Sequence, residues 1–413
     1  MTQTSRSEPV IETPLEIPAT KTEFGQFGVA EEIVDALAMR NINGTFPIQA
    51  MVLKDALAGK DVLAKSRTGS GKTLAFAIPI VQGLTGSERG PSALILTPTR
   101  ELATQVALEF RGIADVKRLK VATVYGGVGI NEQAKKASKS QIIVATPGRL
   151  IDLVGRKLLR LDAVSVCVLD EADRMLDMGF LPDVSRILGM LPTKRQSMMF
   201  SATLDGEVGR LASRYTKDPV LHEVIEARPV VAEATHRFLT TDRDSKTDLL
   251  VRELAAGERG LVLIFTRTKR AADRVARTLK NQGFKAQALH GDMTQPARER
   301  TLARFESGKA DVLVATEVAA RGLDLDHITH VVNFDPPEDD KAYVHRAGRT
   351  ARAGRAGEVI TLLLPDQVSD FSRLAQRLKL ETELGESDIP IVSPRVVFRS
   401  RGGGTRGRGR RRR

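Results

Sequence analysis

The sequence contains no tryptophan, only one cysteine and only three tyrosines among its 413 residues. A single cysteine excludes any disulfide within the chain, which is typical of proteins that fold in a reducing compartment. Cys167 lies in an apolar run, so we expect it to be a buried core thiol. The shortage of aromatic side chains also argues against an extended platform for stacking nucleic-acid bases.

The sequence also has no apolar run close to the ~20 residues needed to cross a bilayer, and its first residues lack the apolar stretch of a signal peptide. These absences predict a cytoplasmic protein without membrane contact. The hydrophobic fraction of 41% and charged fraction of 28% are typical of globular proteins, and the length suggests two domains. A monomer is the default expectation.

Acidic residues are missing from Ile389 to the end of the chain, where nine arginines occur. Subtracting these nine charges from the formal net charge of +12 leaves +3 for the rest of the chain. The Gly/Arg composition predicts a disordered basic segment that binds a polyanion. A purely solubilising tail is the alternative.

Apolar runs alternate with longer helix-like stretches in two successive series. Continuous apolar strands of this kind predict parallel sheets covered by helices. The expected fold class is therefore α/β, with two tandem lobes, each a mostly parallel sheet flanked by helices, joined by a flexible linker. The predicted bounds are a disordered segment over 1–20, lobe one over 21–217, the linker over 218–233, lobe two over 234–385 and the tail over 386–413.

The segment 66–73, SRTGSGKT, lies between a strand candidate and an apolar helix candidate. Small residues allow backbone N–H groups to surround a phosphate at a helix N-terminus. Lys72 would then reach the β- and γ-phosphates, and Thr73 would be a ligand of Mg²⁺. The loop before Lys72 comprises Thr68, Gly69, Ser70 and Gly71. Ser66 replaces the glycine of the strict pattern, and a purely structural turn is the alternative.

Two adjacent carboxylates, Asp170 and Glu171, follow another apolar run. Open α/β sheets bind ligands at the carboxyl ends of their strands. Asp170 is predicted to hold Mg²⁺, and Glu171 to position and deprotonate the attacking water. A solvated acidic turn is the alternative for this segment taken alone.

The order of these segments resembles the DEAD-box RNA helicase family. The tetrapeptide DEAD stands at 170–173, and further stretches that look like the family's motifs are PTRELA (98–103), GG (126–127), TPGR (146–149), SAT (201–203), IFTRTK (264–269), QPAR (295–298), AARGLD (319–324) and HRAGRTAR (345–352). The resemblance covers about 22–370. It implies two RecA-like lobes and an ATP-dependent RNA helicase of the small bacterial type with a basic Arg/Gly tail.

The resemblance also assigns an adenine site. Phe24 would stack on the base, and Gln49, preceded by Pro47, would pair with its N6/N7 edge. A core Phe24 and a surface Gln49 are the alternative. Asn41 and Thr45 depart from the glycine and proline usual in the family.

The remaining roles also come from the resemblance. Arg349 and Arg352 would be arginine fingers that complete the catalytic set with Lys72, Asp170 and Glu171, and Asp324 would contact the ribose or the opposite lobe. Coupling between the lobes is assigned to Asp173, Ser201, Thr203 and His345. RNA binding is assigned to Pro98, Thr99, Arg100, Gly127, Thr146, Gly148, Arg149, Thr266, Arg267, Gln295, Arg298 and Thr316.

The expected cofactors are ATP and Mg²⁺, and the expected partner is single-stranded or short duplex RNA, bound with little sequence preference. The sequence does not decide between ribosomal and RNA-decay partners. Two other functions are compatible with the motifs: a DNA helicase or translocase of the same superfamily, and an ATP-gated RNA clamp that does not unwind.

Overall fold

The computed structural model describes residues 23–66, 70–88, 90–224, 234–256, 259–320, 323, 325, 327–350, 357–387 and 389–390. The predicted N-terminal segment, nearly all of the tail, most of the predicted linker, and Thr68, Gly69, Asp324 and Arg352 lie outside these ranges. Within them the chain forms two α/β lobes in succession, as predicted.

The first lobe is built on a sheet whose strands are β1 (Val62–Lys65), β2 (Ala93–Leu96), β3 (Val121–Val124), β4 (Ile142–Ala145), β5 (Val166–Asp170), β6 (Gln196–Ser201) and β7 (Val220–Glu223). Its helices are α1 (Glu31–Ala38), α2 (Pro47–Leu57), α3 (Lys72–Gly83), α4 (Arg100–Ala114), α5 (Ile130–Ala137), α6 (Pro147–Gly155), α7 (Ala172–Asp177), α8 (Leu181–Met190) and α9 (Gly206–Tyr215). Short 3₁₀ turns cover Phe24–Phe27 and Asp115–Lys117.

The second lobe has the strands β8 (Thr235–Thr240), β9 (Leu261–Thr266), β10 (Ala286–Leu289), β11 (Val312–Thr316), β12 (Ile328–Asn333) and β13 (Glu358–Leu363). Its helices are α10 (Lys246–Ala255), α11 (Lys269–Asn281), α12 (Gln295–Glu306), α13 (Glu317–Ala320), α14 (Asp340–Ala347), α15 (Val368–Arg377) and α16 (Glu381–Glu386).

Both sheets are parallel, with the strand order β3-β4-β2-β5-β6-β1-β7 in the first lobe and β10-β11-β9-β12-β13-β8 in the second. Strands β2, β4 and β11 are buried along their whole length. Helices cover both faces of each sheet, which explains why these strands appear in the sequence as unbroken apolar runs. The apolar clusters on the two faces of each sheet stay within their own lobe.

The strand order divides the carboxyl edge of the first sheet into two halves. Strands β5, β6 and β1 are adjacent in this order. The loop after β1 therefore lies near the acidic end of β5, and the end of β6 lies between the two. The amide of Ser66 donates to the carbonyl of Ser201 at 3.0 Å. Strands β3, β4 and β2 form the other half, and the segments after them are those predicted to contact RNA.

Two predicted boundaries are corrected by the structure. The sequence predicts that lobe one ends at 217, but β7 pairs with β1 and extends the first sheet to Glu223. A sharp turn at Asp218, where φ is 44°, interrupts the strand pattern before the chain re-enters the sheet. The carboxylate of Asp61 holds this return by accepting from the amide of Lys217 at 2.7 Å. At the other end, Ile389 is buried in the core of lobe two, beyond the predicted boundary at 385.

None of the helices in the described ranges combines the length and apolarity that a bilayer-spanning segment requires.

Cys167 lies in the centre of β5 and is fully buried, as the sequence predicts. Burial raises the pKa of its thiol to about 12. Because the thiolate is the reactive form, we expect native protein at pH 8 to react with a thiol reagent at least about 100-fold more slowly than unfolded protein. Absorbance of the released chromophore measures this rate. Rapid labelling of one thiol per folded chain would contradict the burial.

Candidate functional site

The phosphate loop of the first lobe ends at Gly71, which precedes α3 in a left-handed conformation with φ 83°. A Cβ atom at this position would lie 2.7 Å from the Gln49 amide and from the Phe46 ring, so only glycine fits here. Within the loop, the Ser70 hydroxyl donates to the Ser66 hydroxyl at 3.0 Å. That hydrogen bond gives Ser66, which replaces the expected glycine, a function in holding the loop.

Lys72 is the first residue of α3, and its side chain is buried. Its Nζ donates to Glu171 Oε1 at 2.9 Å and to the Ser66 carbonyl at 3.2 Å. Burial lowers the pKa of Lys72, but the carboxylates of Glu171 and Asp170 raise it more, so the pKa lies above its ordinary value. The structure therefore brings together the predicted lysine and the predicted acidic pair as a charged cluster.

Asp170 ends β5, and Glu171 turns the chain into α7 with a φ of 57°. Burial raises the pKa of Glu171, but Lys72 and Arg174 lower it more, so its pKa lies well below the ordinary range. The second carboxylate oxygen, Oε2, lies 3.4 Å from Arg174 Nη1. Glu171 is thus an ionised, buried carboxylate with a cation beside each oxygen.

Asp170 has the properties of a ligand for a hard cation. Its Oδ1 is buried and makes no hydrogen bond within the described part of the chain. Burial raises the pKa of Asp170 to about 7, although Lys72 opposes the shift. Among the described residues no three metal-ligating side chains converge. Asp170 and Thr73 are the residues that could hold Mg²⁺.

Gln49 occupies the predicted adenine end of the site but is buried rather than open to solvent. Its Oε1 accepts from the amide of Phe46 at 2.9 Å, and its Nε2 donates to the carbonyl of Gly71 at 2.8 Å. Since a primary amide has two hydrogens and two lone pairs, one of each remains for an adenine edge. Gln49 therefore also joins α2 to the phosphate loop, and Pro47 begins α2 at the surface.

Phe24 contradicts the expectation of an open stacking face. Only 1% of its surface is exposed, and its ring belongs to the core on one face of the first sheet. The structure favours the core alternative for this residue. The exposed aromatic ring close to the loop is Phe46, to which the sequence assigns no role.

Three of the four predicted coupling residues lie together. The Ser201 hydroxyl accepts from the backbone amide of Asp173 at 3.1 Å, which joins the end of β6 to α7. Burial and the charge of Arg174 lower the pKa of His345 to about 4, while the Asp173 carboxylate opposes the shift. His345 of the second lobe is thus neutral near pH 7 and faces the acidic segment of the first lobe. Thr203 is exposed.

A small cavity of about 10 Å³, the space of one water-sized sphere, lies between the lobes. Its lining residues are Arg174, Phe265, Glu317, Ala320, His345, Arg346 and Arg349. Arg349 donates to the carbonyl of Leu323, and its charge is near enough to lower the pKa of Glu171. An arginine of the second lobe therefore reaches the acidic site of the first, as predicted for Arg349.

The predicted RNA residues of lobe one follow β3, β4 and β2. Thr99 caps α4 by accepting from the amide of Leu102 at 3.3 Å, and Arg149 donates to the Val128 carbonyl at 3.0 Å. The structure places Gly127 and Gly148 at the surface, Arg100 and Arg149 half-buried, and Pro98 and Thr146 in buried positions. The exposed backbone is thus supplied mainly by the glycines.

The predicted RNA residues of lobe two lie at the ends of β9 and β11, directly after β9, or on the first turn of α12. Thr266 and Thr316 are register partners at the ends of β9 and β11, and both are buried. Arg267 is exposed, and its backbone amide donates to Asp335 at 2.8 Å. Gln295 and Arg298 lie on the first turns of α12.

Arg298 and Gln295 contact the first lobe, which the sequence does not predict. Arg298 Nε donates to Glu101 Oε1 at 2.6 Å, and these side chains are 11% and 7% exposed. Arg100 Nη1 donates to Gln295 Oε1 at 3.4 Å. A second ion pair between the lobes joins Lys341 to Asp177 at 2.7 Å, with side chains 42% and 37% exposed.

Several residues of the site carry no distinguishing signal in the sequence. Arg174 and Glu101 are charged residues on helices, and only the fold shows that both are buried. Arg346 donates to Glu317 Oε2 at 2.8 Å and to Asn333 Oδ1 at 3.1 Å, with its guanidinium over the Phe265 ring.

Two parallel α/β lobes, with a lysine loop in the first and an arginine of the second directed at it, define a two-lobed P-loop protein. A family model described as DEAD/DEAH box helicase matches residues 46–211, and one described as helicase conserved C-terminal domain matches 245–354.

Known relatives agree with these matches. The chain is 40% identical over 363 residues to the DEAD-box ATP-dependent RNA helicase CshA of Geobacillus kaustophilus, covering 88% of this chain and 78% of that protein. It is 40% identical to the protein of the same name from Bacillus subtilis, covering 86% and 72%. A solved structure of S. cerevisiae Dbp5 bound to RNA and ADP BeF3 is similar, with a TM-score of 0.78 at 28% identity over 87% of this chain and 94% of that chain. The chain belongs to the DEAD-box helicase family.

We predict that the buried Arg298–Glu101 pair stabilises the closed arrangement of the lobes. Replacing Arg298 with Met leaves Glu101 as a buried, unpaired charge, which should destabilise closure by about 3–5 kcal/mol. Fluorescence transfer between dyes on cysteines introduced at exposed sites of the two lobes would measure closure.

Lys341→Met is the matched control for this prediction. The Lys341–Asp177 pair is exposed to solvent, so its loss should change closure by less than about 1 kcal/mol. Glu101→Gln should weaken closure as Arg298→Met does, and the two effects should not add. Equal effects of Arg298→Met and Lys341→Met would rule out a special contribution from the buried pair.

Proposed function

We propose that this protein is an ATP-dependent RNA helicase in which hydrolysis of ATP is coupled to closure of the lobes and to local separation of RNA duplexes. The observation that carries the proposal is Arg349, which approaches the Glu171 site of lobe one from lobe two. A nucleotide site that needs both lobes is complete only when they are closed. The names and titles of the relatives, which refer to ATP and RNA, support this function.

ATP binding is the first step of the proposed mechanism. The Gln49 amide keeps one hydrogen and one lone pair for the adenine edge, and the loop up to Gly71 surrounds the phosphates. Lys72 turns from Glu171 towards the β- and γ-phosphates. Asp170 and Thr73 would hold a bound Mg²⁺, which would supply charge neutralisation at the phosphate oxygens.

Glu171 is the residue proposed to act on the attacking water. Its carboxylate is ionised and buried between Lys72 and Arg174. In this position it can orient a water molecule and take its proton at a carboxylate oxygen. Arg349, and by resemblance Arg352, stabilise the charge that develops on the γ-phosphoryl oxygens.

Coupling to RNA follows from the division of the sheet edge. The phosphate loop and the acidic pair lie at the ends of β1 and β5, with the coupling residue Ser201 at the end of β6 between them. The RNA residues of the same lobe follow β2, β3 and β4. In the second lobe, β9 and β11 bear RNA residues, while α14 carries His345 and leads to Arg349. Both ligands therefore contact both lobes, and each favours the closed state that the other also favours.

RNA is the favoured substrate over DNA because the relatives are RNA helicases by name. We expect RNA to stimulate ATP hydrolysis more strongly than DNA of equal length. A strand-displacement assay beside an ATPase assay separates an unwinding enzyme from an ATP-gated clamp.

The proposal includes a cytoplasmic location and a monomeric state, with ribosomal or RNA-decay complexes as the setting.

Arg349→Ala should lower RNA-stimulated ATP turnover by on the order of 10³-fold or more, as expected for loss of an arginine finger. Nucleotide affinity should change by less than about threefold, because Lys72 and the loop belong to the other lobe. Steady-state ATPase kinetics and titration with a fluorescent ATP analogue measure the two quantities. Arg349→Lys is the matched variant, and an equal loss of binding and turnover would contradict the closure mechanism.

The basic tail lies outside the described residues, so its function is proposed from the sequence alone. Deleting 395–413 removes nine arginines. We expect weaker RNA binding and a smaller dependence of the affinity on salt, with the slope reduced by about 0.7 for each RNA phosphate that the shortened chain no longer neutralises. Fluorescence anisotropy over a salt series measures both. An unchanged slope with intact solubility would favour a tail that only interacts with solvent.

A further inference from the structure

Arg174 is a buried cation in the first lobe that neither the sequence nor the family matches assign to the reaction. It lies on α7, one turn after Glu171, and only 3% of its surface is exposed. Its Nη1 lies 3.4 Å from Glu171 Oε2 but makes no hydrogen bond within the described part of the chain. A guanidinium N–H is therefore available beside the carboxylate that is proposed to act on water.

The other cation on Glu171 has a second task. Lys72 Nζ holds Oε1 at 2.9 Å, but the same ammonium must contact the phosphates once ATP is bound. When Lys72 turns away, Oε1 loses this hydrogen bond. With one hydrogen bond fewer, the carboxylate would be held less firmly in its geometry towards the attacking water.

Arg174 is placed to hold the carboxylate at that moment. It lies on the first turn of α7, directly after Glu171, so neither ATP nor closure needs to bring it in. Arg174 also lines the cavity that His345 and Arg349 of the second lobe line. A planar guanidinium can bond both oxygens of a carboxylate, and a shift of less than about 1 Å would bring Oε2 within hydrogen-bond distance.

We infer that Arg174 is a positioning residue, which takes over the Glu171 carboxylate when Lys72 moves to the phosphates and so keeps Glu171 aimed at the attacking water. This inference rests on the proposed role of Glu171. Arg174 acts through Glu171 and makes no contact with the reacting phosphate.

The inference predicts a loss of turnover without a loss of ATP affinity. Arg174→Met should lower the RNA-stimulated kcat by about 10- to 100-fold, part of the 10²- to 10⁴-fold that a positioned base contributes. The KM for ATP should stay within about threefold. Arg174→Lys, which retains the charge, should recover part of the rate, and Arg186→Met, which removes an exposed arginine of the same lobe, should leave it unchanged.

A double-mutant comparison tests whether Arg174 acts through Glu171. In a Glu171→Gln background, adding Arg174→Met should change the residual rate by less than about twofold, because groups that act as a unit are not additive. If Arg174→Met lowers the rate by the same factor in both backgrounds, or raises KM at unchanged kcat, the inference is overturned.

Two further measurements separate the ways in which the inference can fail. Thermal unfolding of each variant shows whether the fold is retained, and if Arg174→Met unfolds, the comparison is made with Arg174→Lys and Arg174→Gln. If Glu171→Gln hydrolyses ATP at the original rate, the proposed role of Glu171 fails. If Glu171→Gln loses hydrolysis while Arg174→Met retains it, only the inference about Arg174 fails.

Discussion

The buried ion pair of Lys72 and Glu171 is the interaction on which the site depends. Neither charge could be buried alone without a large desolvation cost, and together they tie the loop after β1 to the end of β5. The pair also keeps the loop organised before a nucleotide arrives. In the proposed mechanism a triphosphate competes with Glu171 for the ammonium, so nucleotide binding would break the hydrogen bond between Lys72 and Glu171.

The parallel sheets place this ion pair at the same edge as a second, separate group of strand ends. All strands of a parallel sheet present their carboxyl ends at one edge, so residues far apart in sequence meet there. The order of the strands then decides which of them are neighbours. Placing β1, β5 and β6 side by side assembles the phosphate site, and the remaining strands provide a separate surface on the same edge.

Much of this arrangement could be predicted from the sequence, because strands buried on both faces and loops at their carboxyl ends leave strong local patterns. The parallel lobes and the meeting of Lys72, Glu171 and Arg349 follow those patterns. Strand β7 was missed because its four residues, VLHE, follow a turn and are only partly buried. The burial of Phe24 and the pairing of Arg298 with Glu101 depend on tertiary packing, which no short pattern records. The motif resemblance assigned roles to Phe24 and Arg298 but gave no information about the side chains around them.

The confinement of each apolar cluster to one lobe has a thermodynamic consequence. Where the described residues of the two lobes meet, the ion pairs and the cavity are lined mostly by charged and polar side chains. Closure therefore removes little hydrocarbon from water, and its heat-capacity change should be small compared with that of folding. The enthalpy and entropy of closure would then change little with temperature, whereas those of unfolding the lobes themselves change steeply.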